Sequence, residues 1–366
     1  MSATGVRMAR SKSPCVVSRA RLLDMRMVTA RVLWAVLAMI GSGLAVAQAP
    51  AADTAVPASV AVPRVVEFAH DNDQLAFTSG ARERWYSSGL FLRTAAPADP
   101  TDPDARLMAL WCRAVLACDA HARIDRVWAI TQLIHTPAWT GTDQPQPNDW
   151  PYAASLYGSL SVAAHGPHTR QTLSLQAGVL GPAALGEQLQ NAVHRVLNQP
   201  KALGFSWQVG PQPVAQLAWC RLVSYPLGAP EFDLVSRTAV VIGRPLTQAS
   251  GGLMLRFAGL PSAPSWPGDI QLPGTSTHRW FGWVGVEAFA VAHQAYIDGP
   301  TKRYESLVQH RRAVGHLMTG ASVALGARTW VDVGLEFRTL EFEAPAGARA
   351  ASPQRIGTLV LRHAWL

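Results

Sequence analysis

Short segments in which apolar and polar residues alternate recur along most of this chain of 366 residues. Every second residue is apolar over 171–179, 331–338 and 284–292. A period of two is that of a β-strand whose two faces differ in polarity. After residue 63, no apolar run is long enough for a membrane helix. Further candidate strands lie near 64–73, 84–95, 124–135, 152–163, 215–224, 234–243, 252–258, 316–326 and 356–366. The sequence therefore predicts an all-β protein.

Two architectures use such strands. A soluble sandwich buries the apolar faces against each other, whereas a membrane barrel turns them to lipid and keeps a polar interior. The number of segments and an N-terminal secretion signal favour a transmembrane antiparallel β-barrel. Aromatic residues near the segment ends suit an interfacial girdle. These are Trp85, Tyr86, Trp128, Trp139, Trp150, Tyr152, Trp280, Phe281 and Trp283.

The N-terminal segment reads as a secretory signal. The apolar run from Val32 ends in Ala45-Val46-Ala47, an A-x-A cleavage pattern. A single membrane anchor is the alternative, but the run is short for a span of about 20 residues. We expect a signal peptide over 1–47, a flexible lead-in rich in Ala, Pro and Val over 48–63, and one barrel domain over 64–366.

Charge and cysteine content exclude two classes of function. Of the formal net charge of +8, +6 lies within residues 1–47, so the basic excess belongs to the signal and does not indicate nucleic-acid binding. Cys112 and Cys118 are close enough to pair in an oxidising compartment, which would leave Cys220 free. No C-x-x-C motif is present, which argues against a zinc or redox site.

The stretch 181–197 predicts one short helix among the strands. Pro182 suits the first helical position, and apolar residues recur at helical spacing. Gln190 and His194 are four residues apart on the opposite, polar face, so their side chains lie one above the other. Such a helix can rest on a surface and present an imidazole to a cleft, although a solvated His–Gln pair is the commoner case.

Two further groups of polar residues lie at strand ends. The first strand ends in His70-Asp71-Asn72-Asp73, and the second begins Glu83-Arg84-Trp85-Tyr86-Ser87-Ser88-Gly89. Clustered oxygen ligands suit a hard cation such as Ca²⁺, although a polar loop that closes a hairpin has the same composition. Later, His135-Thr136-Pro137 and Trp150-Pro151-Tyr152-Ala153-Ala154 flank another loop.

In this order, these motifs resemble the lipid A 3′-O-deacylases (LpxR-type) of Gram-negative outer membranes. The family's E-N-D motif corresponds to 71–73, its D-R-x-Y-T-x-G motif to 83–89, and its G-P…Q-x-x-x-H motif to 181–194. The Y-T-P and R-P-Y-A-G motifs differ, with His135 for Tyr, Trp150 for Arg, and Ala138 just beyond Thr-Pro. The detailed resemblance covers roughly residues 64–210.

The resemblance implies a barrel of twelve strands in the outer membrane, with an active site between the wall and an extracellular-loop helix. It implies Ca²⁺-assisted hydrolysis of the ester of the 3′-linked acyloxyacyl chain of lipid A by a monomer. His194 would be the general base, with Gln190, Asn72, Asp73 and Ser87 in the same site. Asp71 and Asp73 would hold the metal, and Lys201 and Arg84 would bind substrate.

The motifs leave two alternatives open. The first is a non-enzymatic barrel that acts as a pore or scaffold. The second is a Ser87–His194 lipase or phospholipase, in which the histidine activates a hydroxyl instead of water.

Overall fold

The structure is a computed structural model that describes residues 64–76, 84–112, 118, 122–260, 263–270, 279–301, 304–345 and 353–365. The predicted signal peptide and lead-in lie outside the described residues, as does Glu83.

Twelve antiparallel strands form a closed barrel, in the order β1-β14-β12-β11-β9-β8-β7-β6-β5-β4-β3-β2 around the wall. Their bounds are β1 Arg64–Asn72, β2 Trp85–Pro97, β3 Arg123–Thr136, β4 Ala153–His165, β5 Thr169–Leu180, β6 Gln212–Pro226, β7 Phe232–Arg244, β8 Leu246–Ala258, β9 Trp280–Gln294, β11 Ala313–Ala324, β12 Thr329–Arg338 and β14 Gln354–Trp365. The transmembrane β-barrel prediction is confirmed, and each predicted segment overlaps one of these strands.

The remaining elements lie in the connections. Two short strands, β10 (Gln309–His310) and β13 (Phe342–Glu343), pair with each other. The helices within the described residues are α1 (Pro103–Trp111), α2 (Gly186–Val196) and α3 (Ala295–Asp298). Short 3-10 turns occupy Gln74–Ala76, Pro182–Ala184 and Gly204–Trp207. Among the described residues, no helix has both the length and the apolar character needed to cross a membrane.

The outside of the wall is apolar. Alternate residues of the strands leave large apolar side chains exposed, as the period-two pattern requires. We call the following residues the outward apolar belt: Phe68, Leu92, Trp128, Ile130, Leu175, Leu217, Ile242, Leu253, Val284, Val286, Leu317, Val333, Leu359 and Leu361.

The predicted aromatic girdle is wrong in part. Trp128, Trp139 and Trp280 are exposed, but the other six residues of that set are buried because they pack at the rims or in the lumen.

The inside of the wall is polar and largely filled. Glu67 receives hydrogen bonds from Arg93 (2.6 Å) and Arg362 (2.9 Å), and Arg362 also bonds Asp332 (2.6 Å). Such pairing is what burial of charged groups requires. A cavity of about 490 Å³ remains in the lumen.

The segment 263–270, between β8 and β9, enters the lumen. Trp266 packs there against Met254 and Trp283. Arg256, which is buried, fixes the segment with hydrogen bonds to the carbonyl of Ala263 (3.1 Å) and to Ser265 Oγ (2.9 Å). We call 263–270 the lumen plug.

The barrel has two distinct rims. Both chain ends of the barrel lie at what we call the lower rim, where Arg64 pairs with Trp365. The upper rim is the end at which Asn72 pairs with Gly357 and Ser88. Helix α1 lies in a lower-rim connection and α2 in an upper-rim connection.

Candidate functional site

Helix α2 begins later than the sequence predicts. Pro182–Ala184 form a 3-10 turn, and Leu185 then takes a left-handed conformation with φ of 59°. A left-handed residue ends the turn and lets the chain restart as α2 at Gly186. The predicted single helix over 181–197 is therefore two elements joined by Leu185.

The face of α2 that meets the barrel is the polar one. Gln190 and His194 are buried, with 5% and 4% of their surface exposed. Leu185, Val193 and Val196, from the apolar stripe, are exposed. The predicted separation of the two faces is confirmed, but their placement differs from the expectation, because the polar face and not the apolar stripe rests on the barrel.

The surface under α2 is the outside of the wall, not its lumen. Residue 134 shares a face of β3 with the exposed Trp128 and Ile130, and Ile134 is buried only because the α2 connection covers it. Gln132, on the same face, donates a 2.6 Å hydrogen bond to the carbonyl of Ala184. Helix α2 therefore packs on the upper end of β3 and β4 from outside.

Gly186 allows this close approach. A Cβ added to Gly186 would lie 2.3 Å from Cβ of Ala154 on β4 and 3.3 Å from Phe205. Any larger residue at this position would push the helix away from the wall. The first turn of α2 is thus fixed by direct contact with the barrel.

Among the described residues, two groups from its own connection hold the imidazole of His194. Its Nδ1 lies 2.5 Å from the carbonyl of Pro200, so Nδ1 carries the proton that it donates. Its Nε2 lies 3.1 Å from the side-chain nitrogen of Gln190, and an unprotonated Nε2 accepts a hydrogen bond from that amide. This tautomer leaves Nε2 as the basic nitrogen.

The same connection reaches the end of β1. Gln74 and Gln199 exchange two hydrogen bonds between their side-chain amides, of 3.2 and 2.9 Å. The backbone N–H of Gln199 also donates to the carbonyl of His194 (2.7 Å). Because Gln74 directly follows Asp73, these bonds tie the His194 segment to the Asn72–Asp73 segment.

Asn72 lies on the outward side of the wall. It shares a face of β1 with the exposed Phe68, and it pairs with Ser88 of β2. Its Oδ1 accepts a hydrogen bond from the backbone N–H of Gln74 (2.7 Å), and Asp73 Oδ2 accepts one from the backbone N–H of Arg84 (2.7 Å). Both side chains stabilise the turn that leaves β1.

Ser87 occupies a register shift between β2 and β3. Its Oγ lies 2.6 Å from Oγ1 of Thr136, and the residue has no exposed surface. This hydroxyl pair joins the two strands beside the outward face of Ile134.

Asp71 is separated from the other candidates. Its carboxylate accepts a 3.2 Å hydrogen bond from Tyr86 Oη, and both residues line the lumen cavity. Successive residues of a strand point to opposite faces, so Asp71 and Asn72 lie on opposite sides of the wall. The structure therefore does not bring Asp71 to the outward face.

The two predicted substrate-binding residues also lie near the upper rim. Lys201 is exposed and directly follows Pro200, and the guanidinium of Arg84 stacks over the ring of Trp85.

His135 and Trp150, two of the residues that depart from the family motifs, lie on the lumen side of the upper rim. The ring of His135 stacks on the rings of Trp150 and Tyr296, with distances between ring centroids of 5.2 and 4.5 Å. Asp149 supports this loop by accepting hydrogen bonds from the backbone N–H of Ala138 (2.9 Å) and from Trp85 Nε1 (3.0 Å).

Sequence patterns did not reveal two contributors to the site. The Pro200 carbonyl is a backbone group, which carries no side-chain signal. Gln199 is a common polar residue whose partner, Gln74, is remote in sequence. Thr136 lies within a motif of the family, but its contact with Ser87 was not predicted. The Gln199-Pro200 pair after α2 indicates from sequence that the helix ends there and that the chain changes direction.

The family comparison identifies the chain. The family described as "Outer membrane protein LpxR" matches residues 33–365. The chain belongs to the LpxR family. A solved structure, LpxR from Salmonella typhimurium, is 18% identical, with a TM-score of 0.64, and the match covers 82% of this chain and 99% of that one. The shared fold is thus a closed LpxR-like barrel of twelve strands, which is an outer-membrane architecture.

Other barrels match more distantly. The β domain of the Bordetella autotransporter BrkA is 10% identical, with a TM-score of 0.40, and the match covers 82% of this chain and 98% of that one. The translocator domain of the autotransporter NalP from Neisseria meningitidis is 9% identical, with a TM-score of 0.36, and the match covers 94% of this chain and 96% of that one. A search of curated protein sequences gives no significant match.

Proposed function

We propose that this LpxR-family barrel is a lipid A 3′-O-deacylase that hydrolyses the ester of the 3′-linked acyloxyacyl chain, with His194 as general base. The observation that carries the proposal is a buried imidazole whose Nδ1 is held by a carbonyl, on the outside of the wall at the upper rim. A histidine fixed in one tautomer is suited to take a proton from water during ester hydrolysis.

The geometry around His194 supports base catalysis. The Pro200 carbonyl fixes the ring and stabilises the positive charge that forms when Nε2 takes a proton. Gln190 donates a hydrogen bond to Nε2, so the attacking water has to take the place of this amide when substrate binds. Gln190 is therefore a positioning residue that keeps the ring aligned between turnovers.

The position of the site suits a lipid substrate. Lipid A lies in the outer leaflet, with its acyl chains beside the outward apolar belt and its sugars at the level of the rim. A site on the outside of the wall takes such a lipid laterally, and the lipid does not have to enter the barrel. Exposed Lys201 and the guanidinium of Arg84 are our candidates for binding its phosphates.

Calcium remains a prediction from family resemblance. Among the described residues, no three His, Cys, Asp or Glu side chains group as metal ligands. Asp73 brings a carboxylate to the end of β1, whereas Asp71 lines the lumen cavity. Ca²⁺ requires six to eight oxygens. These side chains alone do not fit the ion, and the mechanism proposed here uses no metal step. Loss of activity in chelator, restored by added Ca²⁺, would show that other groups complete a site.

The two alternatives are less well supported. A Ser87 nucleophile would have to leave Thr136 Oγ1 and gain exposure, since its surface is fully covered. A pore requires an open lumen, but the lumen plug and the buried ion pairs occupy the interior. Ser87→Ala should therefore retain most of its activity, and planar bilayers should show little steady conductance.

Mass spectrometry of lipid A tests the proposal directly. Lipid A from cells that express the protein should lose the mass of one acyloxyacyl group. His194→Ala should lower the rate about 10³-fold, the size expected for a general base. Gln188→Ala, on the exposed side of the same helix, is the matched control and should remain active. An unchanged lipid A profile with folded wild-type barrel in the membrane would refute the function.

A further inference from the structure

We propose that helix α1 is an interfacial membrane helix, whose edge of Leu107, Leu110 and Trp111 enters the phospholipid leaflet at the lower rim. The proposal concerns a lower-rim connection and does not depend on the enzymatic activity.

Helix α1 packs on the outside of the wall. Its buried residue Met108 contacts a cluster that includes Val162 and Ala164 of β4 and Leu173 of β5. By strand register, these residues share the outward face with Trp128, because Trp128 pairs with Leu160 and Leu160 pairs with Leu175. Helix α1 therefore lies beside the barrel wall instead of across its opening.

Polar contacts fix α1 in this place. Arg126, on the outward face of β3, donates hydrogen bonds to Asp104 (2.5 and 2.6 Å) and Asp102 (2.7 Å). At the other end, a disulfide joins Cys112 to Cys118, a pairing that the sequence allowed but left open.

The side of α1 that points away from the wall is also apolar. Leu107, Leu110 and Trp111 lie at i, i+3 and i+4, which is one edge of a helix, and they are 50%, 62% and 37% exposed. Ala105 and Met108 take the opposite, wall-facing side. A helix that is apolar on both sides belongs in a protein core or in contact with lipid.

The height of α1 on the wall identifies the occupant as lipid. Ile124 of β3 lies in the α1 cluster, and Ile134 of the same face lies under α2. Ten residues of strand span about 33 Å, or about 25 Å along the barrel axis at the usual tilt. This distance is the apolar thickness of an outer-membrane barrel, about 25 Å. Between the helices, the exposed belt residues Trp128, Ile130 and Leu175 continue the same surface.

The helix therefore lies where one leaflet meets water. Because both chain ends lie at the lower rim and the chain enters the membrane from the periplasm, this leaflet is the periplasmic one. Trp111 at its end is typical of interfacial anchors. We infer that α1 sets how deeply strands β3, β4 and β5 sit in the membrane. It thereby also sets the height of the upper rim relative to the opposite leaflet.

Spin labelling in a bilayer tests this placement. The full-length mature barrel, with Cys220→Ala, carries one nitroxide at Leu110→Cys and is reconstituted into vesicles of phosphatidylethanolamine and phosphatidylglycerol. Collision rates with oxygen and with a water-soluble nickel chelate report depth. Leu175→Cys in the belt and Thr101→Cys before the helix provide the lipid and water references.

The expected result is at least a fivefold higher oxygen-to-nickel ratio at Leu110→Cys than at Thr101→Cys, close to the value for Leu175→Cys. A ratio equal to that of Thr101→Cys would overturn the proposal. So would spin–spin broadening that disappears on dilution with unlabelled protein, because a second copy would then cover the edge. Leu107→Cys provides a second position on the same edge if Leu110→Cys fails to fold.

Discussion

Helices α1 and α2 pack on the same outer wall at opposite ends of β3 and β4, but they bury opposite kinds of side chain. Helix α1 turns Ala105 and Met108 to the wall, whereas α2 turns Gln190 and His194 to it. Burying polar side chains costs free energy unless each is hydrogen-bonded. Helix α1 follows the ordinary rule for stability, whereas α2 buries the polar side chains to which we assign the proposed chemistry.

This contrast predicts that changes at α2 affect activity and that changes at α1 affect stability.

The largest effect in this set is expected at Gly186. In Gly186→Ala, the new Cβ meets Ala154 and pushes the first turn of α2 outward, which moves the imidazole relative to the substrate ester. A displacement of about 1 Å can cost about 100-fold in rate. Lipid A deacylation by purified protein measures it, and Glu187→Ala, exposed on the same turn, is the control. Wild-type activity in Gly186→Ala would show that α2 does not need contact with the wall.

Gln190 should have a smaller effect. Gln190→Leu removes the amide that keeps the imidazole aligned before substrate binds, so we expect about a tenfold lower kcat/KM. Gln188→Leu makes the same change on the exposed side of α2 and should be neutral. Equal losses in both variants would mean that the effect comes from the helix surface and not from the histidine.

Helix α1 should respond in the opposite way. Met108→Ala leaves a gap against Val162 and Ala164 and should weaken docking of α1 by about 2 kcal/mol, while deacylation changes less than twofold. Hydrogen exchange of the α1 amides measures the docking. Unchanged exchange would show that α1 does not depend on this contact.

The disulfide should have the smallest effect on activity. Replacing Cys112 and Cys118 by Ser frees the end of α1, so limited proteolysis within 98–122 should become faster without loss of deacylase activity. If activity falls with the disulfide, α1 and the upper-rim site are coupled more strongly than we infer.

The fold was largely predictable because the barrel follows from a local rule. The period-two pattern marks each strand segment independently, and neighbouring strands then pair in sequence order except around the short strands β10 and β13. The aromatic girdle was overpredicted because the pattern does not separate Trp128, which faces outward, from Trp85 and Trp150, which pack together at the rim.

The site was predictable only in part. Helical spacing placed Gln190 and His194 on one face, but it did not reveal that this face packs on the wall, since that depends on Gly186 and Ile134. Asp71 and Asn72 are adjacent in sequence, yet strand alternation sends one to the lumen and the other outward. The Pro200 carbonyl and the Gln74–Gln199 pair depend on how the connection folds back, which composition does not encode.

The central claim is that the His194 segment lies against the end of β1, beside Asn72 and Asp73, on the outside of the wall. The most direct measurement is cross-linking of Gln74→Cys to Gln199→Cys in a Cys220→Ala background, with a short thiol-to-thiol reagent applied to protein in outer membranes. Because these two side chains are hydrogen-bonded, we predict efficient intramolecular cross-linking and no cross-link when Gln188→Cys replaces Gln199→Cys. Failure of the first pair to cross-link in a folded, membrane-inserted barrel would contradict the account.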